Sequence, residues 1–398
     1  MKKALICLSI VAIVVLCTLN VATASTGNYS TTIQNSAQHT RDHTLKARGS
    51  TSNGILNWKY ATKNIVTSSA TTNGIVYVGS GDNKVYALDA NTGAKVWSYT
   101  TGYYVTSSPT VSNGIVYVGS WDHNVYALNA ATGAKIWSYT TNFFVGSSPT
   151  VCNGIVYIGS DDHNFYALDA NTGKLVWSFT TGDGVRSSPT VVNDIVYVGS
   201  HDNSLYALNA KTGTKTWSYK TGDFVFSKPA IVNGIVYIGS WDGNVYALNA
   251  KTGTKIWNYE TGGGFDMNSS PTVANGIVYV GSWDHNVYAL NANTGTKLWS
   301  YKTGSFVTSS PAIANGIVYI GSNDYYVYAL NANTGTKIWE FMTGDIVDSS
   351  PIVANGIVYI GSNDHLVYAL NANTGTKIWS YLTGGAVSSS PTIANGIV

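Results

Sequence analysis

The chain has 398 residues, of which 11% are charged and 12% aromatic, with 41 glycines, 8 prolines and a formal net charge of +2. A near-neutral chain has no electrostatic footprint for nucleic acid or for an anionic membrane surface. Abundant Gly, Thr, Val, Ile and Tyr suit strands and tight turns rather than helices.

At the N-terminus, Lys2 and Lys3 precede an apolar run from Ala4 to Leu19 and the small-x-small site Ala22-Thr23-Ala24. This pattern predicts a secretory signal peptide over residues 1–24, cleaved before Ser25. The apolar run is short for a membrane span. The expectation is a secreted, cell-surface or periplasmic protein with no membrane span after cleavage. Cys17 is a poor lipidation site, because Val14-Val15-Leu16 offers no small residue before it. Cys7 and Cys17 leave with the leader, so Cys152 is expected to stand alone, with no disulfide framework in the mature chain. Residues 25–52, rich in Ser, Thr, Asn and Gln, predict a flexible polar lead-in.

From residue 53 to 398 the chain is a repeat. The string Ile-Val-Tyr-Val/Ile-Gly-Ser occurs eight times, with Tyr at 77, 117, 157, 197, 237, 279, 319 and 359. The step is 40 residues, except for one of 42 between Tyr237 and Tyr279. The unit from Ser107 to Gly146 shows the logic. A short run, Ser107 to Ser112, closes on the hairpin turn Asn113-Gly114. Ile115 to Ser120 predicts a second strand, Val125 to Ala130 a third and Lys135 to Thr140 a fourth, separated by polar turns. The central strands are apolar on both faces: Ile115 and Tyr117 oppose Val116 and Val118, and Val125 and Ala127 oppose Tyr126 and Leu128. Sheets with two apolar faces must be covered on both sides. Radial stacking of four-stranded sheets does this, which predicts an all-β propeller of eight complete repeats from about 68 to 388.

Ala87-Leu88-Asp89-Ala90-Asn91-Thr92-Gly93-Ala94-Lys95-Val96-Trp97 resembles the tryptophan-docking motif of the PQQ-repeat β-propeller family, which contains quinoprotein dehydrogenases and BamB-like proteins. The motif recurs in all eight units, with Asp kept at Asp89 and Asp169 and Asn at Asn129, Asn209, Asn249, Asn291, Asn331 and Asn371. The resemblance implies an eight-bladed propeller in which Trp97, Trp137, Trp177, Trp217, Trp257, Trp299, Trp339 and Trp379 dock between neighbouring blades. At the ends, Asn53 to Val66 resembles an outer strand, with Trp58, Tyr60 and Val66 matching Trp97, Tyr99 and Val105, and Ser389 to Val398 repeats an inner strand. Two closures fit: an eight-bladed ring with redundant strand fragments, or a ring whose last blade is split between the termini.

The resemblance also raises a cofactor. Quinoprotein dehydrogenases of the family carry a vicinal Cys-Cys pair, acidic and amide Ca²⁺ ligands and a catalytic Asp. This sequence has no Cys-Cys pair. A fold does not fix a function, and the expectation is a protein that is not an enzyme and takes no cofactor and no metal. His123, His163 and His285 lie on separate blades, too far apart to share one ion.

Variation between the repeats marks one face. The turns between first and second strands and between third and fourth strands are nearly uniform. The second-to-third turns carry Trp121, His201, Trp241, Trp283, Asn323 and Asn363 before a repeated Asp. The crossovers between units carry Tyr103, Tyr104, Phe143, Phe144, Phe224, Phe265 and Phe306. Aromatic rings beside Asp, Asn and His supply stacking area and orienting polar groups. Trp121, Trp241, Trp283, Tyr103, Tyr104, Phe143 and Phe144 are therefore the candidate ligand-binding residues. The repeated Asp, from Asp82 to Asp364, is expected to cap its own turn. The expectation for function is a monomeric extracellular or envelope-associated scaffold that binds a protein or a glycan through this face. The alternatives are a lectin-like carbohydrate binder and, behind it, a PQQ-dependent dehydrogenase.

Overall fold

A computed structural model describes residues 30–32, 43–49, 55–64, 66–262, 269–383 and 385–392. The signal-peptide reading, Phe265 and the last six residues lie outside them. Every regular element among the described residues is a strand. Eight four-stranded antiparallel sheets follow one another at 70–100, 110–140, 150–180, 190–220, 230–260, 272–302, 312–342 and 352–382, and are here called blades one to eight. In blade two the strands are Thr110–Ser112, Ile115–Gly119, Asn124–Asn129 and Lys135–Thr140, lettered A to D in every blade. Strands are bonded in the order A-B-C-D, innermost to outermost, as in a propeller.

The A–B hairpin turns place both Asn113 and Gly114 at positive φ (49° and 75°), the geometry that selects Asn-Gly. Blade four has Asn193-Asp194 here, with Asp194 held at φ 61°. Strands B and C bury both faces, so Val116, Val118, Val125, Ala127 and Leu128 are completely inaccessible. Strand D is the outer edge. It exposes Val96, Ile136 and Ile256, but begins with Lys in seven blades, for example Lys95, Lys135 and Lys255. Lysine on an edge strand discourages pairing with another chain.

Each core cluster spans two blades. Tyr117, Val125, Ala127 and Trp137 of blade two pack with Val156, Ile158, Tyr166 and Leu168 of blade three. The polar side of this contact converges on one atom. The carbonyl oxygen of Ala170 accepts the hydroxyl of Tyr117 at 3.0 Å and the indole N–H of Trp137 at 2.9 Å. The same pair of donors reaches Ala130, Ala210, Ala250, Ala292, Ala332 and Ala372 from the preceding blade. Each of these Trp rings then lies on the glycine of the next C–D turn. A Cβ on Gly133 would stand 2.6 Å from Trp97, and Gly133 also sits at φ 74°, so glycine answers two demands at once.

The ends of the array meet. Ile55–Thr62 pairs with His43–Gly49, which pairs with Ser30–Thr32 in a three-stranded sheet. Two of these strands fall within the stretch expected to be a polar lead-in. Tyr60 packs on Tyr86 of blade one at 5.4 Å and 59°, as Tyr99 packs on Tyr126 at 5.4 Å and 58°. At the inner rim, the Thr392 hydroxyl donates to the Ser69 carbonyl at 3.0 Å, as Thr110 donates to Pro149 at 2.6 Å. Toward blade one, then, the N-terminal sheet takes the place of an outer strand and the segment after blade eight that of an inner strand. These contacts follow the split closure. Cys152 is buried and disulfide-bonded, whereas the expectation was of a cysteine alone in the mature chain.

The shared carbonyl makes alkaline stability a test of the interfaces. Burial pushes Tyr117, Tyr157, Tyr197, Tyr237, Tyr279, Tyr319 and Tyr359 up to about 12, against about 10 in an unfolded chain. A folded-state value above the unfolded one gives stability that is present below pH 10 and lost as pH rises toward 12. Each tyrosine contributes up to about 1.4 kcal/mol per pH unit across that window. The expected result is a cooperative unfolding step on which the tyrosinate absorbance rises in parallel. Tyrosinate formation well before unfolding would show the hydroxyls to be accessible.

Candidate functional site

The B–C turns and the crossovers between blades share one face, stitched together by backbone and Asp hydrogen bonds. The crossover leaving blade one gives its Val105 N–H to Ser80 of blade one, at 3.2 Å, while its Tyr104 carbonyl accepts Trp121 N–H of blade two, at 2.8 Å. The repeated Asp does more than cap its turn. Asp122 Oδ1 accepts Asn124 N–H at 3.0 Å, as expected, but Oδ2 accepts Gly102 N–H at 2.5 Å and the Tyr126 hydroxyl at 2.7 Å. One carboxylate thereby ties its own blade to the preceding crossover. Burial, followed by this bond to Asp122, raises Tyr126 well above the ordinary tyrosine range.

The residue after the Asp sits in the left-handed region: His123 at φ 73°, His163 at 70°, His285 at 72°, His365 at 72° and Tyr325 at 78°. A shared backbone shape relates these histidines. Among the described residues no group of three or more His, Cys, Asp or Glu is placed to hold a metal ion.

The face divides into sectors. In the first, Tyr103 stacks on Tyr104 (4.3 Å, 23°), Trp121 on Phe144 (5.0 Å, 19°), and Phe143 packs on Phe144 (4.3 Å) and on His123 (5.7 Å). In the second, Trp241 packs on Phe224 and Phe226, and His201 on the same two rings. In the third, Trp283 stacks on Phe306 at 4.9 Å. Seven rings expected to bind ligand thus fall on one face, five of them in the first sector. Their exposure differs from the expectation. Tyr103 and Phe143 are 42% and 45% exposed, but Trp121, Trp241 and Trp283 are only partly so. The crossovers fold over the indoles, and the N–H groups of Trp241 and Trp283 are buried without an acceptor among the described residues.

Two features escaped the sequence reading. Arg186 grips Asp161 through two nitrogens, at 2.8 and 2.9 Å, a bidentate geometry that orients both groups. Its signal was present only as two departures from the repeat, 25 positions apart. The second is a cavity of about 410 Å³ lined by Asn64, Thr67, Ser68, Gly81, Tyr104, Thr106, Ser108 and Ser389. Gly81 occupies the position filled by Trp121, Asp161, His201, Trp241, Trp283, Asn323 and Asn363 in the other blades. The missing side chain accounts for the opening. The Ser389 hydroxyl is buried there with no partner among the described residues. The volume suits a small ligand or one inserted side chain, and Tyr104 joins the cavity to the first aromatic sector.

His201 supplies a pH test of how this face is packed. Burial, and then the nearby Arg186 charge, holds its imidazole below the ordinary histidine range. Its Nε2 is buried without a partner among the described residues. A depressed value means that the neutral form is favoured in the folded state. That contribution is present above the unfolded value, about pH 6.5, and is lost as pH falls through the folded one. His201→Asn, the residue of blades seven and eight, is expected to flatten the stability profile below pH 6.5. An unchanged acid limb in urea titrations would contradict this packing.

Four overlapping segments, 41–143, 122–269, 260–345 and 323–398, match the family model described as outer membrane protein assembly factor BamB. The match begins ahead of residue 53. No curated protein matches the chain by sequence. Among solved structures, BamB from Moraxella catarrhalis superposes with a TM-score of 0.63 at 21% identity, covering 77% of this chain and 94% of that one. The computationally designed Ika8 protein gives 0.63 at 21%, covering 78% and 94%. A europium-containing methanol dehydrogenase gives 0.57 at 16%, covering 81% and 79%. At these identities the likenesses show the fold.

Proposed function

The chain belongs to the family of the outer membrane protein assembly factor BamB, and from that premise we propose that it is a non-catalytic scaffold of the cell envelope that binds a protein partner. The observation that carries this reading is the first aromatic sector, where the exposed Tyr103 and Phe143 stand on a stacked base of Tyr104, Trp121 and Phe144. Rings already fixed by stacking lose little freedom when a partner covers them. Aromatic anchors surrounded by polar turns are the usual composition of binding hot spots. The N-terminal leader pattern, Lys2 to Ala24, supports export. No helix among the described residues is long and apolar enough to cross a membrane.

A glycan reading has one observation in its favour, the cavity lined in part by Tyr104, whose walls carry six hydroxyl side chains and the Asn64 amide. The dehydrogenase reading rests on a shared fold, and the Cys-Cys pair it calls for is absent from the sequence.

Photo-crosslinking residues placed at Tyr103, Phe143 and Phe306, with Asn113 and Asn275 of the opposite face as controls, test the assignment in intact cells. Protein adducts are expected at the first three sites only. Adducts at the controls would put the functional face on the wrong side. Glycan-array binding abolished by Tyr104→Ala, with no protein adduct anywhere, would favour the carbohydrate reading.

A further inference from the structure

The inner rim of the propeller is a ring of small hydroxyl side chains. The second residue of each Ser-Ser-Pro repeat faces away from its own blade. In blade five, Ser227 points into the blade, donating to the Gly239 carbonyl and accepting Gly239 N–H, both at 2.9 Å. In an extended segment the next side chain projects to the opposite side, toward the axis. Neighbouring blades are joined at this second position. Ser108 N–H donates to Ser148 Oγ at 3.0 Å, Ser270 N–H to Ser310 Oγ at 3.0 Å, Ser310 N–H to Ser350 Oγ at 2.9 Å and Ser350 N–H to Ser390 Oγ at 3.1 Å.

One member of the ring is different. Blade five reads Ser227-Lys228-Pro229, and Lys228 N–H donates to Ser270 Oγ at 3.1 Å, in register with the serines. No other residue of the inner segments 67–72, 107–112, 147–152, 187–192, 227–232, 269–274, 309–314 and 349–354 is charged. The four ion pairs formed among the described residues do not include Lys228. Arg186, immediately before the inner segment of blade four, is already engaged by Asp161. Burial, with no carboxylate beside it, pulls the Lys228 ammonium below the ordinary lysine range. Two other ring positions, Ser68 and Ser108, line the cavity that opens beside Gly81, so the rim is reachable from the variable face.

We propose that the axial rim is an anion site, in which the Lys228 ammonium supplies the charge and the hydroxyls of the serine ring supply further donors to a small oxyanion. An ammonium on a flexible four-carbon stem recognises such a group as a point charge. A free phosphate and a carboxylate on a larger ligand share this chemistry. The proposal stands apart from the protein-binding reading, because it uses the inner rim rather than the aromatic sectors.

Calorimetric titration of the full chain with inorganic phosphate, and separately with acetate, at constant ionic strength tests it. One saturable site is expected on the unmodified protein with at least one of the two anions. Lys228→Ser restores the residue of the other blades and is expected to fold, with a thermal transition no lower than that of the unmodified chain. Loss of one charged hydrogen bond should weaken binding at least about ten-fold in Lys228→Ser, and Lys228→Arg should retain it. Phosphate preferred over acetate identifies a free oxyanion, and the reverse order a carboxylate. Equal affinity in the unmodified and Lys228→Ser chains, or no saturable binding of either anion, would overturn the proposal.

Discussion

The contact on which the ring depends is a backbone carbonyl shared by two donors from the blade before it. At the boundary between blades three and four, Ala210 O accepts the Tyr157 hydroxyl and the Trp177 indole N–H, each at 2.9 Å. Both donors are buried, and neither has another hydrogen-bond partner among the described residues. A carbonyl oxygen has two lone pairs, so the arrangement satisfies three buried polar groups at once and leaves none orphaned. The two rings that deliver the donors fill the space between the sheets, with Tyr157 and Trp177 centroids 5.9 Å apart. Polar satisfaction and apolar packing are therefore achieved by the same side chains, and each blade is held by its neighbour rather than by itself.

This arrangement explains where the molecule is free to vary. The C–D turn cannot change, because glycine there must accept both a positive φ and a Trp ring at its surface. The A–B turn needs two residues at positive φ. The B–C turn needs the Asp that reaches back to the preceding crossover, but the residue before the Asp is tied to the framework by its backbone N–H. Trp121 N–H, Asp161 N–H, His201 N–H, Trp241 N–H and Asn323 N–H all donate to the crossover carbonyl. The side chain at that position is unconstrained by the framework. One ring thus displays aromatic stacks, a bidentate Asp–Arg pair and, at Gly81, a cavity.

The repeat, the four strands per blade and the turn chemistry were legible because each is written in side-chain pattern. Strand alternation, Asn-Gly, Thr-Gly and the recurring Trp state their own geometry. The shared Ala carbonyl was not legible, since a backbone acceptor leaves no mark on the sequence. The second job of Asp122 was hidden for a related reason: its partner, Gly102 N–H, is 20 residues away in the crossover from the preceding blade. The half-burial of Trp121, Trp241 and Trp283 depends on how the crossovers fold over the turns, which no local pattern states. Closure was ambiguous because Trp58 and Tyr60 look the same whether their strand is redundant or completes a split blade. Only the contacts of Tyr60 with Tyr86 and of Thr392 with Ser69 separate the two.

A double-mutant cycle on Tyr157→Phe and Trp177→Phe, followed by denaturant unfolding, addresses the shared carbonyl most directly. Each single change leaves Ala210 O with one donor. The double change leaves it buried with none, at a cost of about 1–3 kcal/mol for the orphaned acceptor. The predicted result is a double variant less stable than the sum of the single losses by about 1 kcal/mol or more. Losses that add to within about 0.3–0.5 kcal/mol, as expected of independent sites, would contradict the account.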